Sequence, residues 1–368
     1  MIRVALRQFR TEGVIGLGLL VVFAIVLAIT GPHLAHVYDA FESSCRAARD
    51  CATAPNPVLN LDKPLQGALP FVVAIAPALV GLFFGASLIA RELETGTFRL
   101  AWTQSVTRRR WLAVKLGLVG VASMAIGGLL TWMADWWASP LDAVNQNRFG
   151  VANFSFHGVA PIGYAAFAFA LGAAAGVLLR RTVAAMAVTG AGFVAARLAV
   201  TYWVRPHLAS PVHEFLPLAT ASGPGFVFGE AQGTMYLNAY TQNGFHTPAI
   251  GQVALTAPLV KVPNGWVYST TALDKAGHAP TSHYLFQTCP VIKQLSNQLA
   301  ASAPNTPGAK PDAINACITK LASTIHTIVS YQPASRFWPF QWAEMGIFLA
   351  AALALCGLTY WWLRRLYA

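Results

Sequence analysis

Residues 91–115, RELETGTFRLAWTQSVTRRRWLAVK, form a dense polar island between two long apolar runs. The island holds Glu92 and Glu94, two of the chain's fourteen acids, and Arg91, Arg99, Arg108, Arg109, Arg110 and Lys115, six of its twenty-five bases. The chemistry these residues can do is recognition of a cytoplasmic partner. Gly96 lets the chain leave the preceding helix through a conformation closed to residues with side chains. Thr97 can then cap a short helix over 98–103, which offers Phe98, Leu100 and Trp102 as knobs to a partner groove. Ser105 or Thr107 can cap the following helix, and Arg108 with its two neighbours can hold that helix start at an anionic inner leaflet. A loop that is merely basic would account for the arginines; the order of acid, glycine, aromatic knobs and bases is what points to docking.

Other residues carry less. The apolar runs contain few charges, and Arg197 and Glu344 lie at similar estimated depth, so they are expected to form a membrane charge pair; a lone charge there costs at least ~2.5 kcal/mol. The same scarcity argues against an ion-coupled carrier. Cys45, Cys51, Cys289 and Cys317 allow three pairings, of which the local one, Cys45 with Cys51 and Cys289 with Cys317, is the expectation; Cys356 lies in an apolar run as a packing residue. His207 and His213 beside Glu214 show no metal-ligand spacing, so no metal is expected. No GxxxxGK[ST] phosphate loop is present, and the Ser, His and Asp residues show no nucleophile elbow, so the chain is not expected to be an enzyme.

The elements that hold the island are membrane helices. With 368 residues, 55% hydrophobic composition and mean hydropathy +0.51, the chain has several apolar runs of about 20 residues, enough to cross the bilayer as helix. The expected class is an all-α polytopic membrane protein with a mixed α/β extracellular domain between helices five and six. In order, 1–12 reads as a cytoplasmic amphipathic helix with Arg3, Arg7 and Arg10 on one face, 13–30 as the first span and 31–66 as an extracellular loop. The first span is expected to be retained, because no convincing small-x-small cleavage site follows it. The second span is 67–90, the cytoplasmic coupling loop 91–111, and the third span 112–133, closed by an aromatic belt of Trp132, Trp136 and Trp137. A second extracellular loop, 134–157, leads to spans at 158–179 and 183–204, a tight hairpin joined by Arg180 and Arg181. The extracellular domain is 205–338, with strand-like runs at 252–262 and 266–271 and helix-like runs at 290–300 and 312–330. A sixth span, 343–363, ends in the cytoplasmic tail 364–368. The glycines at 172 and 176 permit close helix packing and are weak evidence for a dimer face.

Orientation follows from the bases. Arg3, Arg7, Arg10, the island, Arg180, Arg181, Arg364 and Arg365 fall on one side, thirteen of the twenty-five on a short length of chain, which places both termini in the cytoplasm. The net charge of +11 therefore reflects membrane orientation, and nucleic acid is not an expected partner. Four cysteines and all nine histidines fall on the opposite side, the oxidising side of a bacterial plasma membrane.

The run Arg91-Glu92-Leu93-Glu94-Thr95-Gly96-Thr97, then Ser105-Val106-Thr107-Arg108 and Trp111-Leu112-Ala113-Val114-Lys115, resembles the ABC-type-2 exporter permeases, in which an acidic turn, a short cytoplasmic helix and a basic helix entry link the second and third membrane helices. Residues 178–182 and 332–338 carry further echoes. Gln104-Ser105, where many members have Thr-Pro, and a large outer segment are departures. The resemblance implies a permease with ABC ATPase subunits, two per complex, and a second permease copy or paralogue in membrane lipid. This chain would hold no cofactor, ATP and Mg being bound by the partner ATPase. It also assigns Arg91, Glu92, Glu94, Gly96, Thr97, Phe98, Arg99, Leu100, Trp102 and Arg108 to the contact with the ATPase subunit. The expected function is export of a drug-like, antibiotic, lipid or peptide substrate; the alternative is a membrane sensor or structural subunit with a ligand-binding extracellular domain.

Overall fold

A computed structural model describes residues 10–48, 57–95, 108–151, 153–217, 236–239, 253–256, 262–291, 316–317, 320–321 and 324–366. It divides into two compact units, Met1–Ser210 with Ser335–Ala368, and Pro211–Ala334.

The first unit contains six helices long and apolar enough to cross a membrane. Helix α1 spans Arg10–Ala48; most of the expected amphipathic segment 1–12 lies outside the described residues. The helix does not stop before Gly31-Pro32, so much of the expected loop 31–66 is helical. Gly31 is a packing site, where a Cβ would lie 2.8 Å from the Trp136 ring. One residue before it, Thr30 Oγ1 accepts a hydrogen bond from Trp137 Nε1 at 2.8 Å. Trp137 is therefore core and not part of an aromatic belt, and it packs with Leu27, Leu34, Leu69 and Phe156.

Helix α2, Lys63–Leu79, runs through a π-helical stretch, Val80–Ala86, into α3, Ser87–Thr95. Arg91, Glu92 and Glu94 thus belong to a helix end, and the coupling loop starts later than expected. Helix α4 spans Arg108–Asn145 with Pro140 inside it, so the first part of the expected loop 134–157 is helical too.

Helix α5, Ala160–Leu179, is the centre of the unit. It carries no charged residue and is apolar on every face, with small residues at more than half of its positions. Of its most apolar eighteen residues 72% are buried, against 6% for α1. A Cβ on Gly172 would lie 2.3 Å from the Gly81 carbonyl oxygen and one on Gly176 would lie 3.0 Å from that of Ala86. The two glycines bring α5 against the π-helical stretch of its own chain, so they are not a dimer face. At the other end Gly163 admits the Met345 backbone, where a Cβ would lie 2.9 Å from its oxygen.

Arg180 ends α5 in the left-handed conformation (φ 53°), and α6, Thr182–Ala199, follows at once. A π turn, Val200–Val204, and a short 3-10 turn, Arg205–His207, extend it. The last helix is labelled α8 and spans Phe337–Leu366.

The second unit is built on an antiparallel sheet of β1 (Val212–Pro217), β5 (His326–Gln332) and β4 (Trp266–Leu273), with β5 central. Val212 pairs with Tyr331 and Trp266 with Gln332, and a bulge falls between Val267 and Ser269. β2 (Tyr236–Ala239) pairs antiparallel with β3 (Val253–Thr256). The expected helix over 312–330 ends early, because Thr327-Ile328-Val329 is β-branched and is claimed by strand partners on both sides. Helix α7, Ser282–Thr288, is capped by Thr281, whose hydroxyl accepts from Tyr284 N at 3.3 Å. Cys289 and Cys317 are joined, with Cα atoms 5.4 Å apart. Cys45 is buried at the end of α1, and Cys51 lies outside the described residues.

Candidate functional site

The polar groups of the first unit gather at the two ends of α5. At its C-terminal end α3 delivers the two acids of the island. Glu92, 9% exposed, pairs with Lys115 on α4, 4% exposed. Glu94 is exposed and binds the start of α6: its carboxylate accepts from Thr182 N at 3.0 Å and Thr182 Oγ1 at 2.7 Å. A carboxylate here satisfies a free helix N–H and meets the positive end of the helix dipole. The end of the second span is thereby tied to the third and the fifth.

Both acids, which the resemblance implies for an ATPase contact, thus have partners inside the chain. Arg91 is exposed on the same helix, and Arg108 opens α4. Gly96, Thr97, Phe98, Arg99, Leu100 and Trp102 lie outside the described residues.

At the N-terminal end of α5 the expected pair forms but is secondary. Arg197 Nη1 lies 3.4 Å from Glu344 Oε1, while Arg205 holds the same carboxylate with two prongs, Nε to Oε2 at 2.8 Å and Nη2 to Oε1 at 3.0 Å. Arg205, which the sequence places at the head of segment 205–338, belongs to this unit and is fully buried, as is Glu344. Tyr164 Oη adds a hydrogen bond to Oε1 at 2.5 Å. In an uninterrupted α-helix, residues eight apart diverge by about 80° around the axis. The wider π turn between Arg197 and Arg205 takes up part of that offset and lets both reach one carboxylate.

A family model described as ABC-2 membrane transporter related matches residues 17–205, just over half of the chain. The chain belongs to that family. It is a membrane protein of the permease type, as the resemblance at the island implied. No curated protein matches the chain, and no solved structure matches it.

The matched region of this ABC-2 family member ends at Arg205, so it takes in both ends of α5 up to that arginine. It also contains a third polar group, absent from the candidates above. Asp135 and Asp142 stand two turns apart on one face of α4, with His157 between them: Nδ1 is 2.5 Å from Asp135 Oδ1, and Nε2 is 3.3 Å from Asp142 Oδ1. Asp135 also accepts from Gly158 N at 3.0 Å, and Asp142 from Arg148 Nε at 3.1 Å. Gln341 of α8 accepts from Ala160 N at 2.9 Å and donates to Phe154 O at 2.8 Å, fixing the same loop to the start of α8. The spacing D-x6-D on a helix was the available signal; it is obscured when 134–157 is read as a loop.

With a carboxylate oxygen at each ring nitrogen, His157 satisfies both only as imidazolium. Burial opposes that charge, but the hydrogen bonds and charges of Asp135 and Asp142 outweigh it and raise the pKa above the ordinary histidine value. The folded chain binds this proton more tightly than the unfolded chain. The stabilisation is therefore complete below about pH 6.5 and is lost as pH rises through the raised folded value. Thermal unfolding of the purified chain is expected to move to lower temperature as pH rises above about 6.5, and His157→Asn is expected to flatten that slope. An equal slope in both proteins would remove His157 as its origin.

Elsewhere, His213 Nδ1 lies 2.8 Å from Ser330 Oγ, and Glu214 accepts from Tyr331 Oη at 2.9 Å. Among the described residues no three His, Cys, Asp or Glu side chains are grouped so as to hold a metal ion.

Proposed function

We propose that the chain is the permease subunit of an ABC exporter, moving a substrate outward with ATP hydrolysed by a separate ATPase subunit. The family match over residues 17–205 carries the reading, and the knitted inner ends of the second, third and fifth spans support it. A push delivered to the segment after Thr95 reaches α4 through Glu92 and α6 through Glu94. The ATPase then docks on Phe98, Leu100 and Trp102, with Arg91, Arg99 and Arg108 around them, while the two acids hold the receiving helices together. Both termini are cytoplasmic, the membrane is the bacterial plasma membrane, and the unit Pro211–Ala334 is extracellular, where a Cys289–Cys317 disulfide is at home. Two ATPases and a second permease, like or unlike, complete the complex, and the cargo is a drug-like, antibiotic, lipid or peptide molecule.

The test is affinity purification of the tagged full chain in mild detergent, with mass spectrometry of what accompanies it. A subunit bearing a GxxxxGK[ST] loop is expected with the native chain and is expected to be lost with Trp102→Ala. A native chain that comes down alone, folded and with candidate ATPases expressed, would favour a membrane sensor instead.

A further inference from the structure

Glu344 cannot neutralise both arginines that reach it. Its Oε1 already accepts from Tyr164 Oη at 2.5 Å and Arg205 Nη2 at 3.0 Å, and its Oε2 from Arg205 Nε at 2.8 Å. Arg197 is left with the one long contact of 3.4 Å to Oε1. Guanidinium groups stay protonated in proteins, so the cluster sets two positive charges against one carboxylate, inside a unit of membrane-crossing helices. Among the described residues the buried Nη1 of Arg205 also has no hydrogen-bond partner, so the cluster has donor capacity to spare as well as charge.

The excess falls on Arg197. Its side chain is 15% exposed and lies over the Tyr164 ring, Cζ 3.6 Å from the centroid, a contact that attracts the cation without neutralising it. The exposed side chains beside it are apolar, Val194 and Leu198, and five and six residues on come exposed Tyr202 and Trp203. Exposed aromatics at the end of a membrane helix mark the headgroup level, about 8 Å further along the axis. A soluble anion would meet a greasy surface here; a phosphodiester carried on acyl chains matches both the cation and its apolar flanks.

We propose that Arg197 binds the phosphate of a phospholipid headgroup in the leaflet at the C-terminal end of α6. The planar fork of arginine suits a phosphate's two free oxygens, and the lipid supplies the negative charge that Glu344 cannot. This site does not depend on the ATPase partnership.

The full chain in lipid nanodiscs is labelled with phosphatidylglycerol bearing a diazirine near the headgroup, and the labelled peptides are mapped. Label is expected on residues 194–204, and Arg197→Gln is expected to reduce it about tenfold, the loss of one charge-assisted contact. A diacylglycerol with the same diazirine is expected to label that stretch no better than the variant, and soluble glycerol phosphate at equal concentration is expected not to compete. Arg197→Lys, which keeps the charge but not the fork, is expected to fall between, and it carries the test should Arg197→Gln not fold. Equal labelling by diacylglycerol, or a signal unchanged in the variants, overturns the site. Competition by glycerol phosphate overturns the lipid assignment in favour of a soluble anion.

Discussion

Glu344→Leu is expected to cost the membrane unit about 3–5 kcal/mol, the loss found when one partner of a buried ion pair is removed. Arg205 is fully buried, and both of its hydrogen-bonded prongs end on this carboxylate. Without it a guanidinium remains in an apolar interior over the Phe154 ring, Cζ 4.1 Å from the centroid, and Tyr164 loses its acceptor. Arg205→Met leaves the carboxylate with Arg197 and Tyr164 and is expected to cost less. The double substitution Glu344→Leu with Arg205→Met is expected to be more stable than Glu344→Leu alone, because the fully buried guanidinium is then gone and only Arg197, 15% exposed, is left without its carboxylate. Thermal unfolding of the purified chain in detergent measures all three, with exposed Lys63→Ala as reference. If Glu344→Leu shifts the transition no more than that reference does, the carboxylate is not the keystone of this end of the unit.

The six apolar runs, the Arg180-Arg181 hairpin and the family likeness were legible because each rests on a local pattern, either a run of about twenty apolar residues or a short motif. Helix ends were not. Gly31-Pro32 and Pro140 carry strong local stop signals, yet α1 and α4 pass through them, since the tertiary contact between Gly31 and the Trp136 ring outweighs a propensity. Partners were least legible of all. Glu92 and Lys115 are 23 residues apart, Glu94 and Thr182 are 88 apart, and Glu344 and Arg205 are 139 apart. Shared depth in a charge-poor membrane marked Arg197 and Glu344, 147 residues apart, as partners, but no such signal marks these three pairs. The arginine at 205 looked like the first residue of a loop because a π turn, invisible to a 3.6-residue period, aims it back into the unit. His157 was hidden for a related reason, since its two aspartates share a face only once α4 is known to continue past residue 133.

Under the proposed function, the pair at the opposite end of α5 bears on coupling as well as on stability. Glu92→Leu removes the carboxylate that neutralises Lys115, and is expected to cost about 3 kcal/mol. That is the lower end for breaking a buried pair, because Glu92 keeps 9% of its surface exposed. Lys115→Met is expected to cost a similar amount, and Glu92→Leu with Lys115→Met to recover most of the loss, since two apolar side chains of comparable size then fill the gap between α3 and α4. The recovered protein no longer has the charged clasp that fixes where the chain leaves α3 for the segment beginning at Gly96. It is therefore expected to retain the ATPase subunit in a pulldown, because the proposed docking residues Phe98, Leu100 and Trp102 are untouched, yet to stimulate ATP hydrolysis several-fold less than the native chain. Glu94→Gln, which weakens the hold on Thr182 while leaving the buried pair intact, is expected to lower stimulation with little change in thermal stability, its carboxylate being exposed. Co-purification, unfolding temperature and ATP hydrolysis measured on the same preparations separate the two roles. Full stimulation by the stable double variant would mean that the clasp only builds the fold, and that the push from the ATPase enters the membrane helices elsewhere.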